Sequence, residues 1–473
     1  MKNVYAYIDT KREKVQYRPL KERVKDYKEV ELRRTDTLID RQAGRCMNCG
    51  TPFCHSNCPL GNYIPEWNDL AKEGRWKEAW ERLSLTSPFP EFTGRLCPAL
   101  CEGGCVLGIN DDPVTIRQNE LDIIEKAFQL GYVKPVLPKT RTGKNIAIIG
   151  SGPAALSAAH YLNRKGHCVE VFERSAKPGG FLRYGIPDFK LDKAIIDRRI
   201  TIMREEGIVF TCSTEIGNTK YAKNLLEEFD AVILACGTRN CRGMNVPGSS
   251  SSSVIQAVDY LTASNKAVSK EETLPSHLCA SGKKVVVIGG GDTGSDCVGT
   301  ANRQGAASVH QIEIMDKLPE TRPANQSWPE FPRLFKHTSS HEEGVTQDYC
   351  VLTKSFQVNS DGKLEGLNCA KVQWDFSIGK PVMKEIDNSD FFIQADMVIL
   401  AMGFIGAEDS QMLKDLGLPL SSRSVVETGT DFKTSVEGVF ACGDMRRGQS
   451  LIVHALTEGK YTAQSVDQWL MSK

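Results

Sequence analysis

The segment 145-NIAIIGSGPAA-155 decides the fold of this chain of 473 residues. Its first five residues form an apolar run without alternation, which is typical of a strand buried on both faces of a parallel sheet. A helix is predicted from Leu156 to Lys165, and a second strand, Cys168–Phe172, ends at Glu173. Strand, G-x-G-x-x-A turn, helix, strand and acid together form a dinucleotide-binding fingerprint.

Each part of this fingerprint has a physical role. Gly150 and Gly152 allow a tight turn and the close approach of a pyrophosphate, and Pro153 and Ala155 complete the turn into the helix. The N-terminus of that helix favours an anion. Glu173 stands where a ribose hydroxyl is bound. The sequence therefore predicts one complete dinucleotide site.

A second copy of the fingerprint begins at Lys284. Val285–Ile288 is its strand, and a helix is predicted from Ser295 to Gln304 before the next strand, Ser308–Ile314. The turn between them reads Gly289-Gly290-Gly291-Asp292-Thr293-Gly294. Two such turns about 140 residues apart, each flanked by strand and helix, indicate two dinucleotide-binding domains.

Three further strand-like segments give the domain order. They are Ala231–Thr238, Asp396–Phe404 and Gly438–Asp444, the last ending in Gly443 and an acid. This order predicts an α/β fold in which the second Rossmann-like domain is inserted into the first, behind a helical N-terminal domain. The expected boundaries are 1–140 for the helical domain, 141–283 with 405–473 for the first dinucleotide domain, and 284–404 for the second.

The N-terminal domain carries seven of the 16 cysteines in two tight groups. The first group reads C-x2-C-x4-C-x3-C-P, and the second reads C-x3-C-x3-C. Their members are Cys46, Cys49, Cys54 and Cys58, then Cys97, Cys101 and Cys105. Helices are predicted around them, as a hairpin or bent helix over Glu66–Leu83 and as one helix over Thr115–Leu130, with a linker at Tyr132–Gly143.

Thiolates at this density favour a metal centre, and iron-sulfur clusters would make the domain a one-electron conductor. Structural zinc is the alternative, although this spacing is unusual for zinc. A disulfide framework is disfavoured, because Met1–Val30 is charged and lacks the apolar stretch of a signal peptide. A cytoplasmic setting, where thiols stay reduced, is therefore expected.

The charge balance excludes some partners. Lys+Arg and Asp+Glu number 59 each, so the chain lacks the basic excess expected for nucleic acid or an anionic membrane. No apolar run approaches the roughly 18 residues of a transmembrane helix. The eight histidines form no spaced ligand set, and His454 is expected to be a packed residue.

The motifs in combination resemble the small (beta) subunit of glutamate synthase over essentially the whole length. The matching segments are CMNCGTPFCH at 46–55, IPEWNDL at 64–70, GRLCPA at 94–99, GGFLRYGIP at 179–187, GGGDTG at 289–294 and RRGQS at 446–450. Each alone would be shared with many flavin disulfide reductase-like enzymes. Together they identify the family.

The resemblance implies an activity. A pyridine nucleotide would reduce FAD, and electrons would leave through iron-sulfur clusters to an FMN-containing large subunit that reduces iminoglutarate. A related enzyme passing electrons to another acceptor, such as the large subunit of NADH-dependent ferredoxin:NADP oxidoreductase, is a close alternative. A nucleotide-sensing protein with zinc is a more distant one. No catalytic acid–base residue is expected, since the protein positions the two cofactors.

The resemblance also implies cluster ligands. In the similar N-terminal domain of dihydropyrimidine dehydrogenase, the ligands cross between the two cysteine groups. Carried over by spacing, Cys46, Cys49, Cys54 and Cys105 would bind one [4Fe-4S] cluster. Cys58, Cys97, Cys101 and Glu120 would bind the other. The alternative for Glu120 is an exposed glutamate on a helix.

For the nucleotides, the resemblance places FAD at the first turn and NADH or NADPH at the second. Gly179, Gly180 and Leu182 would lie near the flavin, and Asp444 near its ribityl chain or pyrophosphate. Glu313 or Asp316 would accept a ribose hydroxyl and repel a 2′-phosphate, so NADH is favoured over NADPH.

Two alternatives stay open at the second turn. A cation for a 2′-phosphate could come from Arg303, Lys317 or Arg322. Asp292 and Thr293 could bind nucleotide or simply cap the helix.

Overall fold

The computed structural model describes residues 5–376, 379 and 381–473. Its N-terminal part is helical, as predicted. The helices are α1 (Ala6–Asp9), α2 (Leu20–Arg23), α3 (Asp36–Ala43), α4 (Phe53–Asn57), α5 (Ile64–Lys72), α6 (Trp76–Ser84), α7 (Pro90–Leu96), α8 (Leu100–Gly103) and α9 (Ile116–Gln129), with a 3₁₀ turn at Val106–Ile109. The hairpin predicted over Glu66–Leu83 is the α5–α6 pair.

The first sheet has five strands, β1 (Asn145–Ile149), β2 (Cys168–Phe172), β3 (Val209–Thr211), β4 (Ala231–Leu234) and β16 (Val439–Ala441). They are all parallel and lie in the order β16-β4-β1-β2-β3. Its helices are α10 (Pro153–Arg164), α11 (Phe181–Tyr184), α12 (Lys193–Glu205), α13 (Asn224–Glu228), α17 (Gln411–Leu416), α18 (Asp444–Arg447) and α19 (Ile452–Met471). Central β1 pairs with β2 and β4 at its two edges, and Ile146–Ile149 are all buried, as expected of a strand that is covered on both faces.

The second sheet is also parallel, in the order β6-β14-β7-β8-β9. Its strands are β6 (Val254–Gln256), β7 (Lys284–Ile288), β8 (Ser308–Ile312), β9 (Thr346–Asp348) and β14 (Met397–Leu400), with helices α14 (Ala257–Val268), α15 (Asp292–Arg303) and α16 (Ser339–Glu342) and a 3₁₀ turn at Ser276–Leu278. Antiparallel strands β10 (Val351–Val358), β11 (Leu364–Asp375), β12 (Val382–Glu385) and β13 (Phe391–Gln394) form an additional sheet that the sequence analysis did not anticipate.

The insertion of one domain into the other follows from this topology. The chain leaves the first domain through β5 (Asn240–Cys241) and returns through β15 (Phe404–Gly406), and these two strands pair as an antiparallel ribbon. The expected boundary at 283/284 differs from the sheet pairing, because β6 hydrogen-bonds to β14 in the second sheet. Residues after β5 therefore belong to the second domain. The sequence analysis did not place this boundary because β6, with three residues, is too short to be recognised as an apolar run.

Ion pairs connect the helical domain to the first dinucleotide domain. Arg199 on α12 donates to Glu91 on α7 at 2.6 Å, and both side chains are buried. Glu125 on α9 pairs with Arg198 at 3.0 Å and with Arg95 at 2.9 Å. Loss of Arg199 or Glu91 would leave the other charge buried and unpaired, so this pair holds the helical domain against the first dinucleotide domain. Within the described residues, no helix is long and apolar enough to cross a membrane.

Candidate functional site

The first glycine turn requires glycine for two different reasons. Gly150 has φ +100°, and an added Cβ would lie 2.5 Å from the carbonyl oxygen of Ala235. This position therefore needs glycine for the fold itself. At Gly152 an added Cβ would meet no atom within 4 Å. Gly152 caps α10, and Pro153 is the first helical residue, so this glycine leaves room for a ligand at the helix N-terminus.

Small residues also let neighbouring segments approach this turn. Ala155 is fully buried in the core beneath it. Gly443 has φ +69°, and its Cβ would lie 2.7 Å from the Cβ of Ala154. Gly180 has φ +54°, and its Cβ would lie 2.9 Å from the Cα of Gly152. The turns after β1 and β16 and the Gly179–Gly180 turn therefore converge on one place.

Glu173 lies at the end of β2, 6% exposed. Its carboxylate accepts hydrogen bonds from the hydroxyl of Ser151 and from the backbone N–H of Ser175, the latter at 2.7 Å. The Ser151 oxygen in turn accepts from the N–H of Gly179 at 2.9 Å. Glu173 is thus an oriented acceptor beside the turn, which is what recognition of a ribose hydroxyl needs.

These residues line a cavity of about 1170 Å³. This volume exceeds the roughly 300–1,000 Å³ of an ordinary ligand pocket. The predicted residues on its wall are Gly150, Gly152, Pro153, Glu173, Gly180, Leu182, Asp444, Asp292 and Cys97. One cavity therefore joins the first glycine turn to the helix N-terminus of the second domain and to a cysteine of the helical domain.

Asp444 is the acid at the tip of β16. Burial raises its pKa from 3.8 to about 6, while the Ser450 hydroxyl donates to it at 2.6 Å. The neighbouring Gly443 N–H donates to Glu458 at 2.9 Å. The hydrogen bond from Ser450 therefore holds the Asp444 carboxyl in the cavity, where it can contact a polar ligand.

The sequence analysis missed part of this wall. Residues of the N-terminal segment, including Arg12, Tyr17 and Arg33, line the cavity. This segment is held across both dinucleotide domains: the Val30 N–H donates to the Phe189 carbonyl at 3.0 Å, and Arg23 donates to the Ser339 carbonyl at 2.9 Å. The segment is largely extended, so no hydrophobic period marks it in the sequence.

The second glycine turn repeats the geometry of the first. Gly289 has φ +123°, and an added Cβ would lie 2.3 Å from the Ala401 carbonyl oxygen. At Gly291 an added Cβ would meet no atom within 4 Å, whereas at Gly294 it would lie 2.2 Å from the Gly289 carbonyl oxygen. Gly291 is the N-cap of α15, and no side chain caps this helix. The alternative that Asp292 or Thr293 caps it is therefore not supported.

Glu313 follows β8 at the place that Glu173 holds after β2. It accepts hydrogen bonds from the N–H of Gly290 at 2.6 Å and of Met315 at 3.0 Å. Asp316 accepts from the thiol of Cys350 at 2.9 Å. The end of β8 therefore places Glu313 beside the turn, whereas Asp316 is hydrogen-bonded to Cys350.

The three candidate cations for a 2′-phosphate have other partners. Arg303 is buried against Glu343 and donates to the Asp26 carbonyl at 2.9 Å. Lys317 pairs with Glu320 at 3.2 Å. Arg322 donates to the carbonyls of Glu330 at 2.6 Å and Gly103 at 3.1 Å.

Four cysteines from both sequence groups surround one small cavity, Cys46, Cys49, Cys54 and Cys105. Burial raises the pKa of Cys46 and of Cys54 to about 12 each, and neighbouring thiols of the same four add to the rise. Thiolates are therefore unfavourable here without a cation. A metal centre, whose ligands are thiolates, would supply that cation, so the donor set fits one.

The remaining three cysteines interact with Glu120. Burial raises the pKa of Cys58 to about 11 and of Cys97 to about 12, and the Glu120 carboxylate adds to both. The Cys101 pKa is also raised, first by burial and then by Cys58 and Cys97. These three cysteines and Glu120 therefore influence one another's ionisation, apart from the four that line the small cavity.

Glu120 is buried, at 6% exposure, so the alternative of an exposed helix glutamate is wrong. Burial raises its pKa to about 7. One carboxylate oxygen accepts from the Thr93 hydroxyl at 2.7 Å and from Ser87 at 3.4 Å. The Glu120 side chain is buried because α9 is packed against other parts of the chain on more than one face.

Zinc would need its ligand atoms about 2.3 Å from one point. Across residues 5–376, 379 and 381–473, no three His, Cys, Asp or Glu side chains are arranged to hold a metal ion in this way. A four-iron cluster holds its ligands farther apart than a single ion does, so this spacing is compatible with a cluster.

Comparison with known protein families covers both halves of this arrangement. The family described as pyridine nucleotide-disulphide oxidoreductase matches residues 144–459. The family described as dihydropyrimidine dehydrogenase domain II, 4Fe-4S cluster, matches residues 23–131.

Solved structures support the fold of the two dinucleotide domains. FprA from Mycobacterium tuberculosis, in complex with NADPH, superposes with a TM-score of 0.55 at 18% identity, over 70% of this chain and 85% of FprA. At this identity the likeness concerns the fold alone.

Curated relatives match nearly the full length. The glutamate synthase [NADPH] small chain of Mycobacterium tuberculosis H37Rv is 49% identical over 96% of this chain and 93% of its own. The Bacillus subtilis small chain, also named for NADPH, is 44% identical over 98% of both. Glutamate synthase [NADH] of Schizosaccharomyces pombe is 43% identical over 98% of this chain but 22% of its own length. With its two fingerprint turns and its two N-terminal cysteine groups, this chain belongs to the family of glutamate synthase small chains.

Proposed function

We propose that this chain is the electron-input subunit of a glutamate synthase, oxidising NADH at FAD and passing electrons through two [4Fe-4S] clusters. The single observation that carries the proposal is the shared cavity. The first glycine turn, the α15 N-terminus at Asp292 and Cys97 all line this cavity. Such a cavity suits a nicotinamide, a flavin and a cluster ligand in succession.

Two groups would supply the redox chemistry. FAD accepts two electrons from a nicotinamide and releases them singly, and iron-sulfur clusters carry single electrons. This chain's residues bind and orient them. Gly152 and the α10 N-terminus would receive the FAD pyrophosphate, Glu173 its ribose, and Asp444 would contact its polar chain.

The proposed cluster ligands are Cys46, Cys49, Cys54 and Cys105 for one cluster and Cys58, Cys97, Cys101 and Glu120 for the other. The mutual effects within each set on thiol pKa support this division. Glu120 supports it further, since a buried carboxylate gains from a neighbouring metal cation. Because Cys97 also lines the flavin cavity, the second cluster would receive electrons first.

We favour NADH over NADPH as the electron donor. Glu313 lies beside the second turn, and Asp316 follows it in the chain. A 2′-phosphate would meet repulsion from Glu313, while Arg303, Lys317 and Arg322 pair with other groups. Relatives named for each nucleotide are similar to this chain, so their names do not decide the choice.

The proposed partner is a large, FMN-containing glutamate synthase subunit that reduces iminoglutarate to glutamate. The Schizosaccharomyces pombe relative supports it, because the region similar to this chain makes up 22% of that longer protein. A separate chain of this kind would need to bind its electron acceptor.

One set of measurements on the purified protein tests this function. Metal and flavin analysis should give about eight irons and one FAD per chain. Glu120→Ala should remove one cluster signal from the EPR spectrum and keep the other. Gln118→Ala, a buried position on the same helix, should keep both. Zinc in place of iron, or two clusters in Glu120→Ala, would contradict the proposal.

The nucleotide and the partner need separate tests. Anaerobic flavin reduction should have a higher kcat/KM with NADH than with NADPH. Co-purification from cells should recover a large subunit that makes glutamate from 2-oxoglutarate and glutamine. Preference for NADPH would overturn the choice of nucleotide, and recovery of only a ferredoxin-type acceptor would overturn the choice of partner.

A further inference from the structure

A buried amide without a partner lies in the wall of the first cysteine cavity. Asn68, on α5, is 0% exposed and lines the cavity together with Cys46, Cys49, Cys54 and Cys105. Its side-chain nitrogen has no hydrogen-bond partner among the residues that the structure describes. Buried donors in folded proteins nearly always have an acceptor, so this one calls for an explanation.

A relay of hydrogen bonds fixes which end of the Asn68 amide is left over. Arg34 donates to the amide oxygen of Asn119, and a guanidinium can only donate. The Asn119 oxygen is therefore an acceptor and its nitrogen a donor. That nitrogen donates to the amide oxygen of Asn68 at 2.7 Å. The nitrogen of Asn68 is thus the free end, and exchanging its two ends would break the relay.

The start of this relay is itself well anchored. Arg34 donates to Asp122 at 2.7 Å and to the Thr115 hydroxyl at 3.0 Å. Thr115 also donates to the Asn119 oxygen at 3.1 Å. The groups that lead to Asn68 are all hydrogen-bonded, and such a paired network is rigid. It therefore holds the Asn68 amide, whose nitrogen alone lacks a partner, in a fixed orientation.

A cluster in this cavity would present sulfur acceptors to that group. Hydrogen bonds to cluster sulfur are one of the factors that set the reduction potential, because a donor stabilises the more negative, reduced state. The neighbouring Trp67 also has an unpartnered indole N–H, but Trp67 does not line the cavity.

We propose that the Asn68 side-chain nitrogen donates a hydrogen bond to the cluster held by Cys46, Cys49, Cys54 and Cys105, and raises its reduction potential. The inference rests on the ligand sets of the proposed function. Cys97, of the other set, lines the flavin cavity, whereas Asn68 lies in the first cysteine cavity. Asn68 therefore makes transfer from the flavin-side cluster to the more remote cluster more favourable.

EPR-monitored redox titration of the holoenzyme tests this role. Cys46→Ala first identifies the signal of the Asn68-side cluster as the one that disappears. In Asn68→Leu, reduction of that cluster should become about tenfold less favourable, a shift of about 59 mV to lower potential for a one-electron couple. The other cluster and the FAD content serve as internal controls and should stay unchanged.

Asn68→Asp carries the test if the leucine variant does not fold. Titrated at alkaline pH, where its carboxyl is ionised, it keeps the shape and the bond from Asn119 but has no donor, so the same signal should shift in the same direction. An unchanged potential, or a shift confined to the other cluster, would overturn the role of Asn68 and leave the two-cluster proposal standing. Retention of both signals in Cys46→Ala would instead overturn the ligand sets, and the inference with them.

Discussion

The two glycine turns share a backbone and differ in their surroundings. Gly150 and Gly289 both have positive φ and both face a carbonyl oxygen, at 2.5 and 2.3 Å from an added Cβ. The first turn lies in a cavity walled by three parts of the chain, and its acid, Glu173, is buried. The second turn is exposed at Gly290 and Gly291, and its acid, Glu313, is only half-buried.

Under the proposed function, this difference would separate a resident cofactor at the first turn from an exchanging substrate at the second. A dinucleotide at the first turn would lie in a large cavity lined in part by the N-terminal segment, and would lose much of its contact with solvent there. A dinucleotide at the second turn would keep contact with solvent and could be replaced after each turnover. The same local sequence pattern would then serve two roles, and the tertiary surroundings would decide between them.

The largest expected effect comes from filling the open side of each turn. In Gly152→Val the side chain would occupy the space for the pyrophosphate, so retained FAD should fall more than about tenfold. In Gly291→Val the protein should keep FAD, while kcat/KM for flavin reduction by NADH falls roughly 100-fold. Flavin absorbance and stopped-flow reduction measure the two effects. Loss of FAD in Gly291→Val would break the comparison.

A smaller effect is expected from the acid at the second turn. Glu313→Gln removes a charge that repels a 2′-phosphate, so the ratio of kcat/KM for NADH to that for NADPH should fall about tenfold, or about 1.4 kcal/mol. Glu173→Gln is the matched control at the first turn and should leave this ratio unchanged. An unchanged ratio in Glu313→Gln would mean that selection against the phosphate lies elsewhere.

The buried acid of the first site gives a pH dependence. Burial raises the pKa of Asp444 from 3.8 to about 6 in the folded chain. Its contribution to stability is therefore complete below about pH 4 and is lost as the pH rises through about 6. In flavin-free protein, the free energy of unfolding relative to Asp444→Asn should fall between pH 4 and pH 7. Urea unfolding measures it, with the exposed Asp409→Asn as control; a constant difference would contradict the assignment.

The smallest effect is expected at Thr293. Because Gly291 caps α15 without a side-chain bond, Thr293→Ala should change the free energy of unfolding by less than about 0.5 kcal/mol. The control is Thr35→Ala, since the Thr35 side chain accepts from the Leu38 N–H at 3.3 Å as the N-cap of α3. That variant should lose about 1 kcal/mol. Equal losses in the two variants would revive the capping role of Thr293.

Local features of the fold could be predicted from the sequence. Strand β1 and its turn follow from an apolar run and from a glycine whose positive φ other residues rarely adopt. Helix α10 begins at Pro153, three residues before the predicted Leu156, because Gly152 is the cap and proline suits the first helical position. The boundary at 283 was missed because β6 has only three residues.

Features that depend on distant contacts could not be predicted. The sequence leaves Glu120 open between ligand and exposed residue, and only the covering of α9 makes it buried. Arg34 reaches Asn119 across 85 positions, so no local pattern reveals the amide relay that leaves Asn68 unpaired. The N-terminal wall of the flavin cavity is of the same kind, since it becomes apparent only from its contacts with both dinucleotide domains.

The most direct test of the difference between the two turns is a count of the nucleotides that purified, extensively dialysed protein releases on heating. The account predicts one FAD per chain and little nicotinamide nucleotide, because the first turn lies in a large cavity and the second turn is exposed. Absence of flavin, or retention of nicotinamide nucleotide in an amount equal to FAD, would contradict it.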